Sequence, residues 1–257
     1  MEYQTIRYEV AEGVAVLTLD RPDVMNALDT QMRAEIQHAM RRVPDEARVA
    51  VLTGQGRAFC SGQDLGDGRA TNLDLERTLR DEYMPMLRAI VDCPVPTIAA
   101  VNGPAAGAGA NLALATDVCI ASDDAYFIQA FTRIGLIPDA GGTWFLPRQA
   151  GFAKAMGAAL FADRITAREA ADWGMIYEAV PAESFTAHWR ARAAHLAKGP
   201  TAAYAHLKTA MRASFGNSLD QQLTLEAQLQ GKCGQTRDFR EGVVAFVEKR
   251  PPVYEGR

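Results

Sequence analysis

The sequence predicts a mixed α/β fold of stacked strand–strand–helix (ββα) turns, followed by a helical C-terminal region. Continuous apolar runs at residues 49–53 and 97–101 are typical of strands buried on both faces. A loop, a helical pattern and another strand follow each run, and this order recurs about every 40–50 residues. From Gly151 onward the pattern is helical. These observations favour stacked ββα turns over a Rossmann sheet.

The elements of the first half follow from local patterns. Residues 6–10 and 13–19 are rich in β-branched side chains and predict two strands paired around Ala11 and Glu12. Asn26 or Asp29 can cap a helix that continues to about Val43. The remaining elements predicted here are strands at 118–121 and 126–128, helices at 75–92 and 105–116, and a mobile polar stretch at 66–74.

The second half is predicted to consist of helices. Thr166 and Glu169 match a capping box, which opens a short helix that ends at Trp173 and Gly174. Further helical patterns cover residues 183–197, 201–213, 219–230 and 238–249. We therefore expect a core at residues 1–195 and a helical C-terminal subdomain at 196–257, which covers the core or packs against another subunit.

Composition and charge disfavour several classes of protein. The 257 residues are 48% hydrophobic and 23% charged, which is typical of a globular chain. A net charge of −4 without a basic run gives no support for a nucleic-acid partner. The most apolar stretch, residues 95–122, is interrupted by Asn, Asp, Gly and Pro, so no membrane span is expected.

The cysteines and the N-terminal residues indicate a cytoplasmic protein without a metal site. The four cysteines lie far apart, with no Cys-x-x-Cys pair and no histidine at metal-ligand spacing, and are expected to stay reduced. No secretory signal is visible. Motifs for dinucleotide or phosphate binding and for a serine nucleophile are absent, and the histidines fall in predicted surface helices. A hydrolase triad is therefore disfavoured.

Asp139 is the candidate catalytic residue. It stands in an apolar, turn-rich segment, residues 131–143, where a surface acid would have no reason to lie. Burial beside Phe131, Leu136 and Ile137 would raise its pKa, which suits a group that takes and returns a proton near neutral pH. The alternative is that Asp139 only caps a helix that begins at Gly142.

Two loops of small residues, at 59–65 and 102–111, can direct bare backbone N–H groups toward a ligand. The candidate donors are Gln63, which follows Ser61 and Gly62, and Ala108, which lies at a predicted helix start. Ordinary glycine turns or close helix–strand packing are the alternatives. Asp64 is expected to orient the first loop, and Asp117 to cap a helix. Two N–H donors and one buried acid suffice for enolate chemistry on a thioester.

These segments resemble the crotonase (enoyl-CoA hydratase/isomerase) superfamily over nearly the whole chain. The matching motifs are RPDVMNAL at 21–28, FCSGQDL at 59–65, NGPAAGAG at 102–109, GLIPDAGGT at 135–143 and EGVVAFVEKR at 241–250. The resemblance implies a crotonase-like spiral of ββα turns, homotrimers or homohexamers, and an acyl-CoA thioester substrate without a further cofactor. It also implies that the N–H groups of Gln63 and Ala108 hold the thioester oxygen in an oxyanion hole.

The chain departs from the hydratases of this superfamily at two positions. Their catalytic glutamates correspond to Asn111 and Phe131, neither of which can transfer a proton, whereas the position of Asp139 is catalytic in several isomerases of the family. The dehalogenases of the family also use that position, but the Trp and His on which they rely are missing here. The residues that the resemblance assigns to substrate binding are Ser61, Asp64, Gly109, Asn111, Phe131 and Lys249.

Residues 136–148, 173–176 and 238–243 are especially similar to the family's isomerases of phenylacetate breakdown. The resemblance implies conversion of ring-1,2-epoxyphenylacetyl-CoA to oxepin-CoA, together with Δ3-Δ2 shifts of enoyl-CoA double bonds. The alternatives are a general Δ3-Δ2 enoyl-CoA isomerase, a hydratase-like enzyme of fatty-acid breakdown, or a non-catalytic subunit that binds acyl-CoA.

Overall fold

The computed structural model describes residues 2–66 and 74–257. Nine strands lie in these ranges: β1 (Ile6–Ala11), β2 (Val14–Leu19), β3 (Val49–Gly54), β4 (Thr97–Val101), β5 (Ala105–Ala106), β6 (Val118–Ser122), β7 (Tyr126–Ile128), β8 (Ile165–Thr166) and β9 (Glu178–Val180).

The helices of the same ranges are α1 (Thr30–Glu46), α2 (Leu75–Thr78), α3 (Met84–Val91), α4 (Ala108–Leu114), α5 (Gly142–Gln149), α6 (Phe152–Phe161), α7 (Ala167–Asp172), α8 (Ala182–Ala197), α9 (Thr201–Ala213), α10 (Leu219–Cys233) and α11 (Arg237–Glu248). A π-helical turn, Leu79–Tyr83, joins α2 to α3, and 3₁₀ segments cover Pro22–Val24 and Ala130–Ile134.

Six strands form the main sheet, in the order β1-β2-β3-β4-β6-β9. Only the β1–β2 pair is antiparallel, and the other neighbours run parallel, with Val51 opposite Val16 and Ile98. The main sheet carries apolar side chains on both faces. One face packs against the helices of the ββα turns, and the other contacts Phe185 and Trp189 of α8. The apolar runs therefore form strands covered on both sides, as predicted.

A second, smaller layer gives the fold its spiral. Strands β5, β7 and β8 form a three-stranded sheet, and isolated parallel bridges join Leu28 to Gln63 and Cys60 to Ala105. In each turn the chain leaves a strand of the main sheet, crosses this second layer and then enters a helix. The prediction of stacked ββα turns with a helical C-terminal region is confirmed.

The predicted helix at residues 105–116 is shorter in the structure. Ala105 and Ala106 pair with β7 as a strand, and Gly107, with φ 52° and ψ −125°, redirects the chain into α4 at Ala108. By contrast, α1 is longer than predicted: Asp29 caps it by accepting a 2.7 Å hydrogen bond from Met32 N–H, and it continues past Val43 to Glu46. The predicted mobile stretch at 66–74 lies outside the described residues, apart from its two ends.

The C-terminal helices match the predicted positions. The α6 helix lies in the region from Gly151 onward that was predicted to be helical, although no bounds were predicted for it, and β8 and β9 were not anticipated. The Thr166–Glu169 capping box is present. The predicted boundary after residue 195 falls inside α8, whose Ala197 is buried in the core cluster. Within residues 2–66 and 74–257, no helix is long and apolar enough to cross a membrane.

Asp117 does not cap a helix, and that prediction is wrong. Its Oδ2 accepts hydrogen bonds from Thr97 N–H (2.8 Å) and lies 2.6 Å from Lys208 Nζ, while Oδ1 lies 2.7 Å from Arg212 Nη2. Because Lys208 and Arg212 belong to α9, Asp117 connects the C-terminal helices to Thr97, the first residue of β4.

Candidate active site

Asp139 stands in a tight turn ahead of α5. Its backbone carbonyl accepts a 2.8 Å hydrogen bond from Gly142 N–H, and Ala140 and Gly141 adopt positive φ angles of 48° and 82°. The N-cap position of α5 is Gly141, and no side chain bonds to the helix start. The alternative that Asp139 serves as a helix cap is therefore wrong, and its carboxyl group is free for another role.

Asp139 lies in the wall of a largely apolar cavity of about 620 Å³. The cavity is formed mainly by the π turn and α3 on one side and by the start of α5 on the other. Side chains that line it include Leu79, Tyr83, Leu87, Val91, Trp144 and Phe145. This volume falls in the range typical of small-molecule sites, which are mostly apolar with a few polar groups.

Burial raises the pKa of Asp139 from its ordinary value of 3.8 to about 6. Its Oδ1 atom is buried and has no hydrogen-bond partner among the described residues. A buried acceptor without a partner is costly in a folded protein and calls for an explanation. A carboxyl group with this pKa can both take up and release a proton near neutral pH.

Asn111 holds the backbone of Asp139 from behind the cavity. It is fully buried in α4, one helical turn after Ala108. Its Nδ2 donates a 2.7 Å hydrogen bond to Asp139 O, while its Oδ1 accepts a 2.9 Å hydrogen bond from Gln129 Nε2. A Cβ at Gly142 would collide with the Asn111 amide, so glycine is required there. Asn111 was predicted to bind substrate, and in this structure its side chain is engaged in positioning the acid.

The structure brings the two predicted N–H loops together. Gly62 has φ 94°, and a Cβ there would lie 3.3 Å from the nitrogen of Ala108. Neither the Gln63 N–H nor the Ala108 N–H donates a hydrogen bond to a residue in the described ranges. Two bare backbone donors thus lie on adjoining loops, and Asn111 links the second loop to Asp139.

The other residues assigned to substrate binding have varied surroundings. Phe131 is buried, and its ring lies beside Gly107. Gly109 packs against Cys60 O, so there the alternative of close packing holds. Ser61 Oγ donates a 3.1 Å hydrogen bond to Val24 O. Lys249 is exposed at the end of α11, and it does not line the cavity that holds Asp139.

Asp64, which was expected to orient the first loop, bonds to the backbone at the end of that loop and to Arg21. Its Oδ1 accepts a 3.0 Å hydrogen bond from Gly66 N–H, and its Oδ2 lies 2.8 Å from Arg21 Nη1. The Gly66 N–H, followed by the Arg21 guanidinium, lowers the pKa of Asp64 below its ordinary value. Asp64 therefore stays ionised and is unsuited to proton transfer near neutral pH.

Sequence reasoning missed Arg33 and Tyr83, which both reach the Gln63 side chain. Gln63 Oε1 accepts hydrogen bonds from Arg33 Nη1 (2.9 Å) and from the Tyr83 hydroxyl (2.7 Å). Both residues fall in predicted helices. A polar side chain on the apolar face of such a helix was the one feature of the sequence that could have indicated a role for them. Their convergence on Gln63 depends on long-range packing.

Known proteins share this fold. A structure of enoyl-CoA hydratase from Bacillus anthracis superposes with a TM-score of 0.92 and is 32% identical, covering 99% of this chain and 100% of that one. A sequence model of the family described as enoyl-CoA hydratase/isomerase matches residues 9–257. The chain therefore belongs to the enoyl-CoA hydratase/isomerase family, the crotonases.

Two relatives bear on the reaction. A protein of Rhodobacter capsulatus described as a probable enoyl-CoA hydratase is 65% identical over 257 residues, which is 100% of both chains. The 1,2-epoxyphenylacetyl-CoA isomerase of Escherichia coli K12 is 43% identical over 254 residues, covering 96% of this chain and 97% of the relative. The family of this chain thus includes proteins described as hydratases and as isomerases.

Proposed function

We propose that this protein is an acyl-CoA isomerase in which Asp139 moves a proton along the acyl chain. The observation that carries the proposal is the carboxyl group of Asp139, half-buried in an apolar cavity, with a pKa near 6 and with Oδ1 unpartnered among the described residues. At the positions where the family's hydratases have glutamates, Asn111 and Phe131 offer no second proton donor.

The proposed reaction begins with the thioester carbonyl in the oxyanion hole. The N–H groups of Gln63 and Ala108 donate hydrogen bonds to its oxygen, and the Asp139 carboxylate removes a proton from the carbon next to the carbonyl. Negative charge then spreads into a dienolate, which the two donors stabilise. Protonated Asp139 returns the proton at a distal carbon, so the double bond shifts and the carboxylate is restored. Coenzyme A enters as part of the substrate, and the proposal requires no other cofactor.

An aromatic acyl group is the substrate that we favour. The cavity beside Asp139 has a volume of about 620 Å³ and includes the rings of Tyr83, Trp144 and Phe145. Such a volume exceeds what a short straight acyl chain needs. The 43% identical relative is named 1,2-epoxyphenylacetyl-CoA isomerase. We therefore propose ring-1,2-epoxyphenylacetyl-CoA as substrate and oxepin-CoA as product, with Δ3-Δ2 isomerisation of enoyl-CoA as a second activity.

Hydration of an enoyl-CoA is the second candidate, because the 65% identical relative is described as a probable enoyl-CoA hydratase. Adding water across a double bond requires a group that activates water and a group that protonates the α-carbon. Asn111 has both amide atoms engaged in hydrogen bonds, and Phe131 carries no polar group. A hydratase built on this site would have to use Asp139 for both steps.

The proposal includes assembly into homotrimers or homohexamers in the cytoplasm. Helices α9 to α11 expose large apolar side chains, among them Leu207, Met211, Leu223, Phe246 and Val247. Apolar surface of this kind on a monomer supports a protein–protein interface. The four cysteines form no disulfide, which fits a reducing compartment.

A substrate panel tests the proposed reaction. Purified protein is incubated separately with enzymatically generated 1,2-epoxyphenylacetyl-CoA, a straight-chain 3-enoyl-CoA and a trans-2-enoyl-CoA, and the products are followed by chromatography with mass detection. We expect isomerisation of the first two, faster for the aromatic substrate, and at most slow hydration of the third. Rapid addition of water to trans-2-enoyl-CoA would favour the hydratase, and binding without turnover of any substrate would favour a non-catalytic subunit.

A further inference from the structure

The side chain of Gln63 is held by two buried donors, although the proposed reaction uses only its backbone N–H. Arg33 Nη1 donates to Gln63 Oε1 at 2.9 Å and to Leu28 O at 2.7 Å. Leu28 is the bridge partner of Gln63 in the second layer. The side chain of Arg33 is 2% exposed. Its guanidinium therefore bonds to both residues of the Leu28–Gln63 bridge, to the backbone oxygen of Leu28 and to the side chain of Gln63.

Tyr83 is the second residue that holds the Gln63 side chain. It is 3% exposed, lines the cavity together with Asp139, and donates a 2.7 Å hydrogen bond from its hydroxyl to Gln63 Oε1. The guanidinium of Arg33 lies over its ring, 4.7 Å from the centroid. Tyr83 ends the π turn Leu79–Tyr83, a backbone form that is frequent at functional sites.

The π turn is also tied to Arg33 by an ion pair. Glu82 Oε2 lies 2.6 Å from Arg33 Nη2 and accepts a second hydrogen bond, of 2.9 Å, from Arg33 Nε. Glu82 and Tyr83, which are consecutive residues of the turn, therefore contact the same group of side chains. Glu82 bonds to the Arg33 guanidinium, and Tyr83 bonds to the Gln63 amide, which Arg33 also contacts.

We propose that Tyr83 and Arg33 are positioning residues that hold the Gln63 side chain and so fix the direction of the Gln63 N–H in the oxyanion hole. This inference rests on the proposed function, since it requires a thioester oxygen at that N–H. A backbone donor contributes to catalysis only while it points at the developing charge, and small misplacements reduce rates strongly.

The test uses variants that leave the backbone donor in place. Tyr83→Phe keeps the ring in the cavity wall and removes the hydroxyl, whereas Gln63→Met keeps a side chain of similar length and removes the acceptor. Gln63→Glu keeps a side-chain oxygen that can accept hydrogen bonds from Arg33 and Tyr83. Arg33 itself is unsuitable, because its loss would leave Glu82 without its partner and endanger folding. Tyr8→Phe is the matched control: it removes a tyrosine hydrogen bond of the same 2.7 Å length, to Glu46, outside the cavity.

The first readout is the division between kcat and KM. We expect Tyr83→Phe and Gln63→Met each to lower kcat by about tenfold with KM changed less than about twofold, because a loosened oxyanion donor weakens the transition state more than the bound substrate. The Tyr8→Phe control should retain the wild-type kcat, whereas Gln63→Glu, which keeps an acceptor for both donors, should lose less kcat than Gln63→Met. If Tyr83 and the Gln63 side chain have no positioning role, the two substitutions would change KM alone or neither kinetic constant.

The second readout does not depend on turnover. Phenylacetyl-CoA labelled with ¹³C at the thioester carbonyl has neither an epoxide nor an isolated double bond and is therefore not isomerised. Isotope-edited infrared spectra report the hydrogen bonds to its carbonyl in the complex. We expect the bound carbonyl band of wild type and Gln63→Glu to lie at lower frequency than the band of the free ligand. In Tyr83→Phe and Gln63→Met it should move back toward the free value.

The outcomes separate the two proposals. An unshifted carbonyl in wild type would overturn the oxyanion hole and, with it, the proposed function. A shifted carbonyl in wild type that stays equally shifted in Tyr83→Phe and Gln63→Met, with unchanged kcat, would overturn only the positioning role.

Discussion

The side-chain amide of Asn111 donates a 2.7 Å hydrogen bond to the backbone carbonyl oxygen of Asp139. By its resemblance to the hydratases, this chain has Asn111 at the position of a catalytic glutamate. Here the residue faces the turn that carries the acid, and Gln129 holds it from the other side. The position that, by this resemblance, corresponds to a catalytic glutamate therefore holds the backbone of Asp139 in this chain.

Asn111→Leu is expected to weaken both stability and catalysis. The change keeps the branched shape of the side chain but removes the donor to Asp139 O and leaves Gln129 Nε2 buried without its acceptor, which costs about 1–3 kcal/mol. The Asp139 turn loses its support, so kcat should fall while KM changes little. Urea unfolding and steady-state kinetics measure the two effects. The control Asn217→Leu removes a 2.9 Å side-chain hydrogen bond to Gln222 in the C-terminal helices and should leave kcat unchanged. Equal kcat in both variants would contradict the role of Asn111.

The raised pKa of Asp139 predicts the pH dependence of activity. Asp139 must be ionised to remove a proton, so kcat/KM should rise with pH and level off above a pKa of about 6. Initial rates measured between pH 4.5 and 8 on one substrate trace this limb. A profile that is flat across this range would show that another group serves as the base.

The same shift affects stability with a defined sign. The pKa of Asp139 is 3.8 ordinarily and about 6 in the folded chain, so the folded state binds the proton more tightly than the unfolded state. The stabilisation that this proton provides is complete below pH 3.8 and is lost as the pH rises to about 6. Asp139→Asn removes the titration. The unfolding free energy of the variant relative to wild type should therefore increase between pH 4 and 6, as measured by urea titration at each pH.

Asp117 is expected to anchor the C-terminal helices. Asp117→Asn removes the carboxylate that faces Lys208 at 2.6 Å and Arg212 at 2.7 Å, and Lys208 is 11% exposed. Loss of one partner of a mostly buried ion pair should cost about 2–4 kcal/mol of unfolding free energy, somewhat less than for a fully buried pair. Asp20→Asn breaks the exposed 2.7 Å pair with Arg7 and should cost less than about 1 kcal/mol. Similar losses in the two variants would contradict the anchoring role.

The sequence predicted features that depend on local chemistry. The turn with Asp139, the glycines beside Gln63 and Ala108, and the Thr166 capping box each follow from residues close together in the chain. Features that arise from long-range packing were missed or misread. Tyr83 and Gln63 meet across 20 residues, and Asp117 meets Arg212 across 95. The short strands β8 and β9 were also missed, because each is defined by pairing with a distant strand, β7 and β6.

Solvent-deuterium exchange with Asp139→Asn tests the central claim most directly. Wild type, Asp139→Asn and the exposed-acid control Asp163→Asn are incubated with 3-enoyl-CoA in deuterated water, and mass spectrometry follows both conversion and deuterium incorporation. We expect wild type and the control to convert the substrate and incorporate deuterium, while Asp139→Asn is slower by about 10²–10⁴-fold in both. Conversion and incorporation by Asp139→Asn at the wild-type rate would contradict the assignment of Asp139 as the proton-transferring group.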